Sequence, residues 1–173
     1  IGGKAIPRAY FENALQLAKK KNLSTHLDGA RIFNAAAELG VSARDLCRGF
    51  DSVSVCLSKG LGAPAGTLLL GGEEIIKRAR RSRKILGGAM RQAGVIAAAG
   101  LYALEHNVAR LAEDHANARR LAQGLREAGF EVEGPHTNMV FVRIPQGKVS
   151  PLKALFAEKG ILVLAGTRLR LVT

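Results

Sequence analysis

Ser52-Val53-Ser54-Val55-Cys56-Leu57-Ser58-Lys59-Gly60-Leu61-Gly62-Ala63-Pro64-Ala65-Gly66 is the stretch on which the reading of this sequence turns. Its first six residues form a β-branched, largely apolar run, which predicts a mostly buried strand over 52–57. The glycine-rich remainder predicts a loop over 58–66, with Lys59 at the carboxyl end of the strand. Glycines at 60, 62 and 66 let backbone and ligand approach closely there.

Upstream, residues 23–27 read as a second strand, ending at Asp28-Gly29-Ala30-Arg31, where Gly29 permits a tight turn. A helix is expected over 10–20, with Ala14, Leu15, Leu17 and Ala18 on one face. Helical stretches over 32–38 and 42–47 separate the two strands. Downstream, 67–70 reads as another strand and 73–84 as a basic helix. Strands separated by helices imply parallel strands joined by crossovers, and in such sheets ligands gather at the carboxyl ends of strands. Asp28 and Lys59 both fall there.

From 91 to about 128 the pattern is helical, interrupted near His106 and Asn107 and closed by Gly129 as a C-cap. A strand at 139–144, a helix at 151–159 and strands at 161–164 and 168–172 suggest a smaller α+β unit. The expected organisation is a larger α/β domain over 1–106 and a smaller domain over 107–173, entered by a long helix. Internal repeats and low-complexity segments are absent from the sequence.

The balance of 47% hydrophobic and 23% charged residues over 173 positions is that of a globular protein. No apolar run reaches the roughly 20 residues of a membrane helix, and the N-terminus lacks the order of a signal peptide, so a cytoplasmic protein is expected. A start at Ile1 and a stop after a strand-like segment suggest a piece cut at both ends. Cys47 and Cys56 form no CxxC pair and are read as reduced structural thiols. Of the net charge of +12, much sits in Lys77-Arg78-Ala79-Arg80-Arg81-Ser82-Arg83-Lys84. That run invites a nucleic-acid reading, but no aromatic interleaves with it, and a solvated or subunit-facing helix is expected instead.

A lysine beside small residues at a strand end can act as a Schiff-base nucleophile toward a carbonyl cofactor, once its amine is partly desolvated or near another cation. The bland alternative is an exposed loop lysine. Asp28 could keep a pyridine ring nitrogen protonated, or could simply be a turn or N-cap residue. His26 shares strand parity with Asp28, which would let it touch the same site, but it reads mainly as a packed, hydrogen-bonded histidine. His106, His115 and His136 have no motif support as ligands or bases.

The stretches His26-Leu27-Asp28-Gly29-Ala30-Arg31-Ile32-Phe33-Asn34-Ala35 and Val55-Cys56-Leu57-Ser58-Lys59-Gly60-Leu61-Gly62-Ala63-Pro64 resemble the aspartate and lysine motifs of the L-threonine aldolases of low-specificity type. Gly87-Gly88-Ala89-Met90-Arg91-Gln92 and Asn107-Val108-Ala109-Arg110-Leu111-Ala112-Glu113-Asp114-His115 resemble further segments of that family, in the same order. The resemblance implies an α/β protein of the fold type I class of pyridoxal-phosphate enzymes. It would have a mostly parallel sheet flanked by helices, an incomplete large domain and a smaller α+β C-terminal domain.

By that resemblance Lys59 would bind pyridoxal 5'-phosphate and Asp28 would pair with the pyridinium nitrogen. Arg31 would lie beside cofactor and substrate carboxylate. Arg91 would reach a cofactor phosphate across a subunit interface, and Arg170 would grip the amino-acid carboxylate, tasks that suit a planar guanidinium. Without the resemblance, Arg91 and Arg170 read as surface charges. The implied activity is that of a carbon-carbon lyase cleaving L-threonine or L-allo-threonine to glycine and acetaldehyde, as a homodimer or homotetramer, with no metal, nucleic-acid or membrane partner. A β-eliminating lyase, an aminotransferase or a basic nucleic-acid-binding module are the alternatives. Alone, the piece is expected to be inactive.

Overall fold

The structure, a computed structural model, describes residues 2–173. The chain folds as two compact units: Ala5–Leu111, and Ala112–Thr173 together with the N-terminal residues up to Lys4. The division falls a few residues past the expected 106/107 boundary, because Val108 and Leu111 pack with Leu57, Leu61, Ala63 and Ala103 in a core of the first unit.

In the first unit the elements are α1 (Arg8–Lys20), β1 (His26–Asp28), α2 (Ile32–Leu39), α3 (Ala43–Cys47), β2 (Ser52–Cys56), β3 (Thr67–Gly71), α4 (Glu73–Ile85) and α5 (Gly94–His106). Along β2, Val53 and Val55 are buried while Ser52, Ser54 and Cys56 are half-buried, the period-two pattern of a strand with one face against a core. Val53 and Val55 meet Ile32 and Ala36 of α2 and Leu46 of α3, with Phe11, Leu27 and Phe50 around them. The rings of Phe11 and Phe50 pack edge-on at 5.6 Å. The two short helices thus form the crossover that lets β1 and β2 run parallel, in the register His26↔Ser52, Leu27↔Val53, Asp28↔Ser54.

β3 departs from the parallel expectation: it pairs antiparallel with β2, Cys56 opposite Thr67 and Ser52 opposite Gly71. Between them lies only the loop over 57–66, with no helix to carry the chain back for a parallel return. Antiparallel edge strands on otherwise parallel sheets are common.

At the amino ends of β1 and β2 a hydrogen-bonded clasp fixes the register. The Asp51 carboxylate accepts from the Thr25 N–H at 2.7 Å and the Thr25 hydroxyl at 2.9 Å. The Asp51 and Ser52 N–H groups donate to the Thr25 hydroxyl and carbonyl, each at 3.2 Å. These bonds to Thr25 hold the Asp51 carboxyl below its ordinary range.

The second unit contains most of α6 (Leu111–Glu127), then β4 (Val132–His136), β5 (Met139–Arg143), α7 (Val149–Glu158) and β6 (Arg168–Val172), with an antiparallel sheet in the order β4-β5-β6. Ala118 and Ala122 of α6 lie against Val140, Val142, Ile144 and Leu169, with Leu152 and Phe156 of α7 alongside. Gly129, at φ 84°, ends α6 as expected. Its N–H donates to the Arg126 carbonyl at 2.9 Å and that of Phe130 to Leu125 at 3.0 Å, a Schellman closure.

Two strand expectations need correction. Residues 161–164 form no strand, and Leu162 and Leu164 are 95% and 91% exposed. The edge of β5 that they would need is taken by β6. Conversely β4 is a strand the pattern concealed, because Gly134 and Pro135 interrupt it and its register slips between Glu133 and His136.

Leu46 is 1% exposed at the centre of the first core, so Leu46→Ala should lower unfolding free energy by about 2–5 kcal/mol. Leu162→Ser should change it by less than about 0.5 kcal/mol. Urea denaturation of both variants checks the contrast. Because the folded pKa of Asp51 is depressed, its contribution is present above the ordinary carboxylate pKa and is lost as pH falls through the lower folded value. Asp51→Asn should therefore flatten the acid limb of stability against pH, read from denaturation midpoints between neutral pH and pH ~3.

Candidate active site

Lys59 stands where β2 gives way to its loop. Leu57 receives the Ala63 N–H on its carbonyl at 3.0 Å and donates its own N–H to the Gly66 carbonyl at 3.0 Å, closing the loop on itself. Inside it, the Gly62 N–H donates to the Lys59 carbonyl at 2.8 Å, making Lys59 to Gly62 a tight turn, with Gly62 at φ 72°. Leu61, between them, is buried with Leu57, Ala63, Ala103 and Leu111. The backbone of the turn is pinned while the Lys59 side chain is exposed.

Asp28 ends the neighbouring parallel strand, exposed, with Ser54 opposite. Its Oδ1 accepts the Ala30 N–H at 3.1 Å, an Asx-type turn that leads the chain toward α2. The structure thus favours the turn role over the N-cap role: Arg31, half-buried, occupies the N-cap position of α2. His26 also faces the open side of the sheet, its Nδ1 hydrogen-bonded to the Ser52 hydroxyl at 2.9 Å. It is hydrogen-bonded as expected, but exposed rather than packed.

The remaining expected site residues lie elsewhere. Arg91 is exposed in the turn between α4 and α5. The basic run preceding it lies on α4, whose sequence has Glu73 and Glu74 in the first turn and Arg83 and Lys84 in the last, the charge order that complements a helix dipole. Arg170 belongs to the second unit, on β6 opposite Phe141. Beside it, Arg168 stacks over the Phe141 ring at 3.8 Å and forks onto the Glu133 carboxylate at 2.9 and 3.2 Å. Arg143 reaches Glu131 at 3.4 Å. Among the described residues no carboxylate pairs with Arg170. His106 packs on Tyr102 at 4.4 Å, His115 is buried, and no cluster of metal-ligating side chains occurs among the described residues.

Sequence reasoning passed over two asparagines. Asn34 is buried to 3% exposure on α2, with its amide against Gly60: a Cβ on Gly60 would fall 2.7 Å from its Oδ1. Asn107, from the break between α5 and α6, donates its Nδ2 hydrogen to the Leu61 carbonyl at 2.7 Å. A polar residue among the apolar Ile32, Phe33, Ala35 and Ala36 was the available signal for Asn34. An asparagine at a helix interruption was the weaker signal for Asn107.

In fold the chain resembles solved structures of a threonine aldolase and a serine palmitoyltransferase. The threonine aldolase of Leishmania major matches over 96% of this chain and 51% of its own, with a TM-score of 0.73 at 19% identity. The serine palmitoyltransferase of Sphingomonas wittichii matches over the whole of this chain and 47% of its own, with a TM-score of 0.70. The architecture is therefore that of the fold type I pyridoxal-phosphate enzymes. Within it, the chain belongs to the Beta-eliminating lyase family, whose sequence pattern matches residues 1–146. It is 48% identical over 171 residues to the low specificity L-threonine aldolase of Escherichia coli K12, and 41% identical over 179 residues to low-specificity L-threonine aldolase 1 of Arabidopsis thaliana. Each match covers 99% of this chain, which spans about half the length of these relatives, 51% and 50%.

Gly60→Ala should cost about 1–3 kcal/mol, since its Cβ would meet the Asn34 amide and also Leu111 Cδ2 at 3.0 Å. Gly124→Ala, within α6 with nothing within 4 Å, should instead stabilise by about 0.5–1 kcal/mol. Thermal unfolding of the two variants gives opposite signs if the turn is as tightly seated as described.

Proposed function

We propose that this chain carries the cofactor lysine and much of the site of a pyridoxal-phosphate-dependent aldolase that cleaves L-threonine and L-allo-threonine to glycine and acetaldehyde. The observation that carries the reading is the placement of Lys59 and Asp28 at the carboxyl ends of adjacent parallel strands. The donor set fits the cofactor: a primary amine suits its aldehyde, and a carboxylate suits its ring nitrogen. The 48% identity to a low specificity L-threonine aldolase supports the substrate class.

When bound, the cofactor supplies an electron sink for the pair released as the Cα–Cβ bond of the substrate breaks. The chain's residues act around it. Lys59 would hold the cofactor through its primary amine. Asp28 holds a proton at the ring nitrogen, and its attachment to the Ala30 N–H keeps the carboxylate aimed from the strand end. Arg31, half-buried at the start of α2, would lie beside cofactor and substrate carboxylate. Arg170, exposed and with no carboxylate partner among the described residues, would be free to bind a substrate carboxylate.

Arg91, exposed on its turn, would hold the cofactor phosphate of a second subunit, and a homodimer or homotetramer would then be the working form. A cytoplasmic location and a role in threonine breakdown to glycine go with this reading. Among the described residues no helix is long and apolar enough to cross a membrane.

The test is product analysis with the full-length protein carrying this sequence, loaded with pyridoxal phosphate and given L-threonine. Equal glycine and acetaldehyde are expected, with loss of at least about 10³-fold in Lys59→Ala and about 10²-fold or more in Asp28→Asn. 2-Oxobutanoate and ammonia in their place would make the protein a β-eliminating lyase, and a requirement for a keto acid would make it an aminotransferase.

A further inference from the structure

The Leu61–Gly62 peptide group is gripped at both ends. Its carbonyl accepts from Asn107 Nδ2 at 2.7 Å, and its N–H donates to the Lys59 carbonyl at 2.8 Å. Rotating that peptide would break both bonds, so the orientation imposed by Asn107 is passed to the backbone of Lys59. The Leu61 side chain, buried in the core, prevents the turn from moving as a body. Gly60 is seated against the Asn34 amide on the other side.

Asn107 is itself well anchored. It is the C-cap residue of α5, its N–H donating to the Ala103 carbonyl at 3.0 Å, and Ala103 lies in the same core as Leu61. Its side chain is half-buried and points back to the lysine turn rather than along the helix. The interruption of the helical pattern at 107 thereby has a use: a continuing helix would not present this amide to the loop.

We infer that Asn107 is a positioning residue for Lys59, holding the lysine turn through the Leu61–Gly62 peptide so that the amine is presented in one orientation to the cofactor. This rests on the reading of Lys59 as the cofactor-binding lysine. An amide is suited to the role because it donates a hydrogen bond without adding a charge beside the turn. A displaced lysine would lower turnover more than substrate binding, since small errors of placement at reacting groups cost rate.

The experiment uses the full-length protein carrying this sequence, as wild type, Asn107→Ala, Asn107→Gln and Lys59→Ala. Hydrogen exchange at the Gly62 amide without cofactor reads the grip itself, and should quicken about tenfold in Asn107→Ala. With pyridoxal phosphate bound, the pH midpoint of the visible absorbance should shift, and kcat should fall about tenfold with KM within about threefold. Asn107→Gln, which keeps the donor, should restore part of each effect and serves where Asn107→Ala fails to fold.

Faster Gly62 exchange with an unchanged absorbance midpoint and kcat would overturn the inference and leave Asn107 as a structural cap. Unchanged exchange would overturn it too. If Lys59→Ala kept the wild-type absorbance, the reading of Lys59 would fall, and the positioning role with it. That outcome is separable, because it appears in the lysine variant and not in the Asn107 variants.

Discussion

The parallel pairing of β1 with β2 is the constraint on which the rest depends. Parallel neighbours end at the same edge, so one register, Asp28 opposite Ser54, brings a carboxylate and the start of the lysine loop to one side of the sheet. An antiparallel pair would have sent them to opposite edges. The pairing depends on the crossover through α2 and α3, whose Ile32, Ala36 and Leu46 bury Val53 and Val55. Thr25 and Asp51 clasp the amino ends of the two strands, and a one-residue slip would turn Val53 and Val55 away from that core.

The lysine itself is exposed and flexible along its stem, but its backbone is not free to wander. Four separate constraints meet in a few residues: the loop closure at Leu57, the turn from Lys59 to Gly62, the burial of Leu61 and the two amides of Asn34 and Asn107. A pinned backbone thus carries an exposed primary amine at its tip. In the second unit the same economy recurs in simpler form. Arg168 covers Phe141 and is held by Glu133, which leaves Arg170, opposite Phe141, as the neighbouring exposed cation.

Much of the element order was legible because the apolar periodicities were clean. The strand expected over 52–57 and the helices expected over 10–20, 32–38, 73–84 and 151–159 appear at 52–56, 8–20, 32–39, 73–85 and 149–158. The failures have local causes. β4 contains Gly134 and Pro135, residues that argue against a strand, and is kept in the sheet by its pairing with β5. The apolar residues at 161–164 looked like a strand, but a strand needs an open edge to pair with, and β6 occupies that edge of β5. The direction of β3 depended on the absence of a helix between 57 and 66, a point of connection length rather than composition.

The sequence by itself determined the chemistry available: one lysine among glycines, one aspartate before a glycine turn, and arginines suited to carboxylate or phosphate. These are matters of side-chain type and of order along the chain, so the resemblance to threonine aldolases could be read before any coordinates. Only the tertiary structure decided which groups hold that chemistry in place. Asn107 lies 46 residues from Leu61, and Asn34 meets Gly60 across the fold. No periodicity encodes such a contact, because a hydrogen bond between distant residues is set by the packing that brings the helices and the loop together.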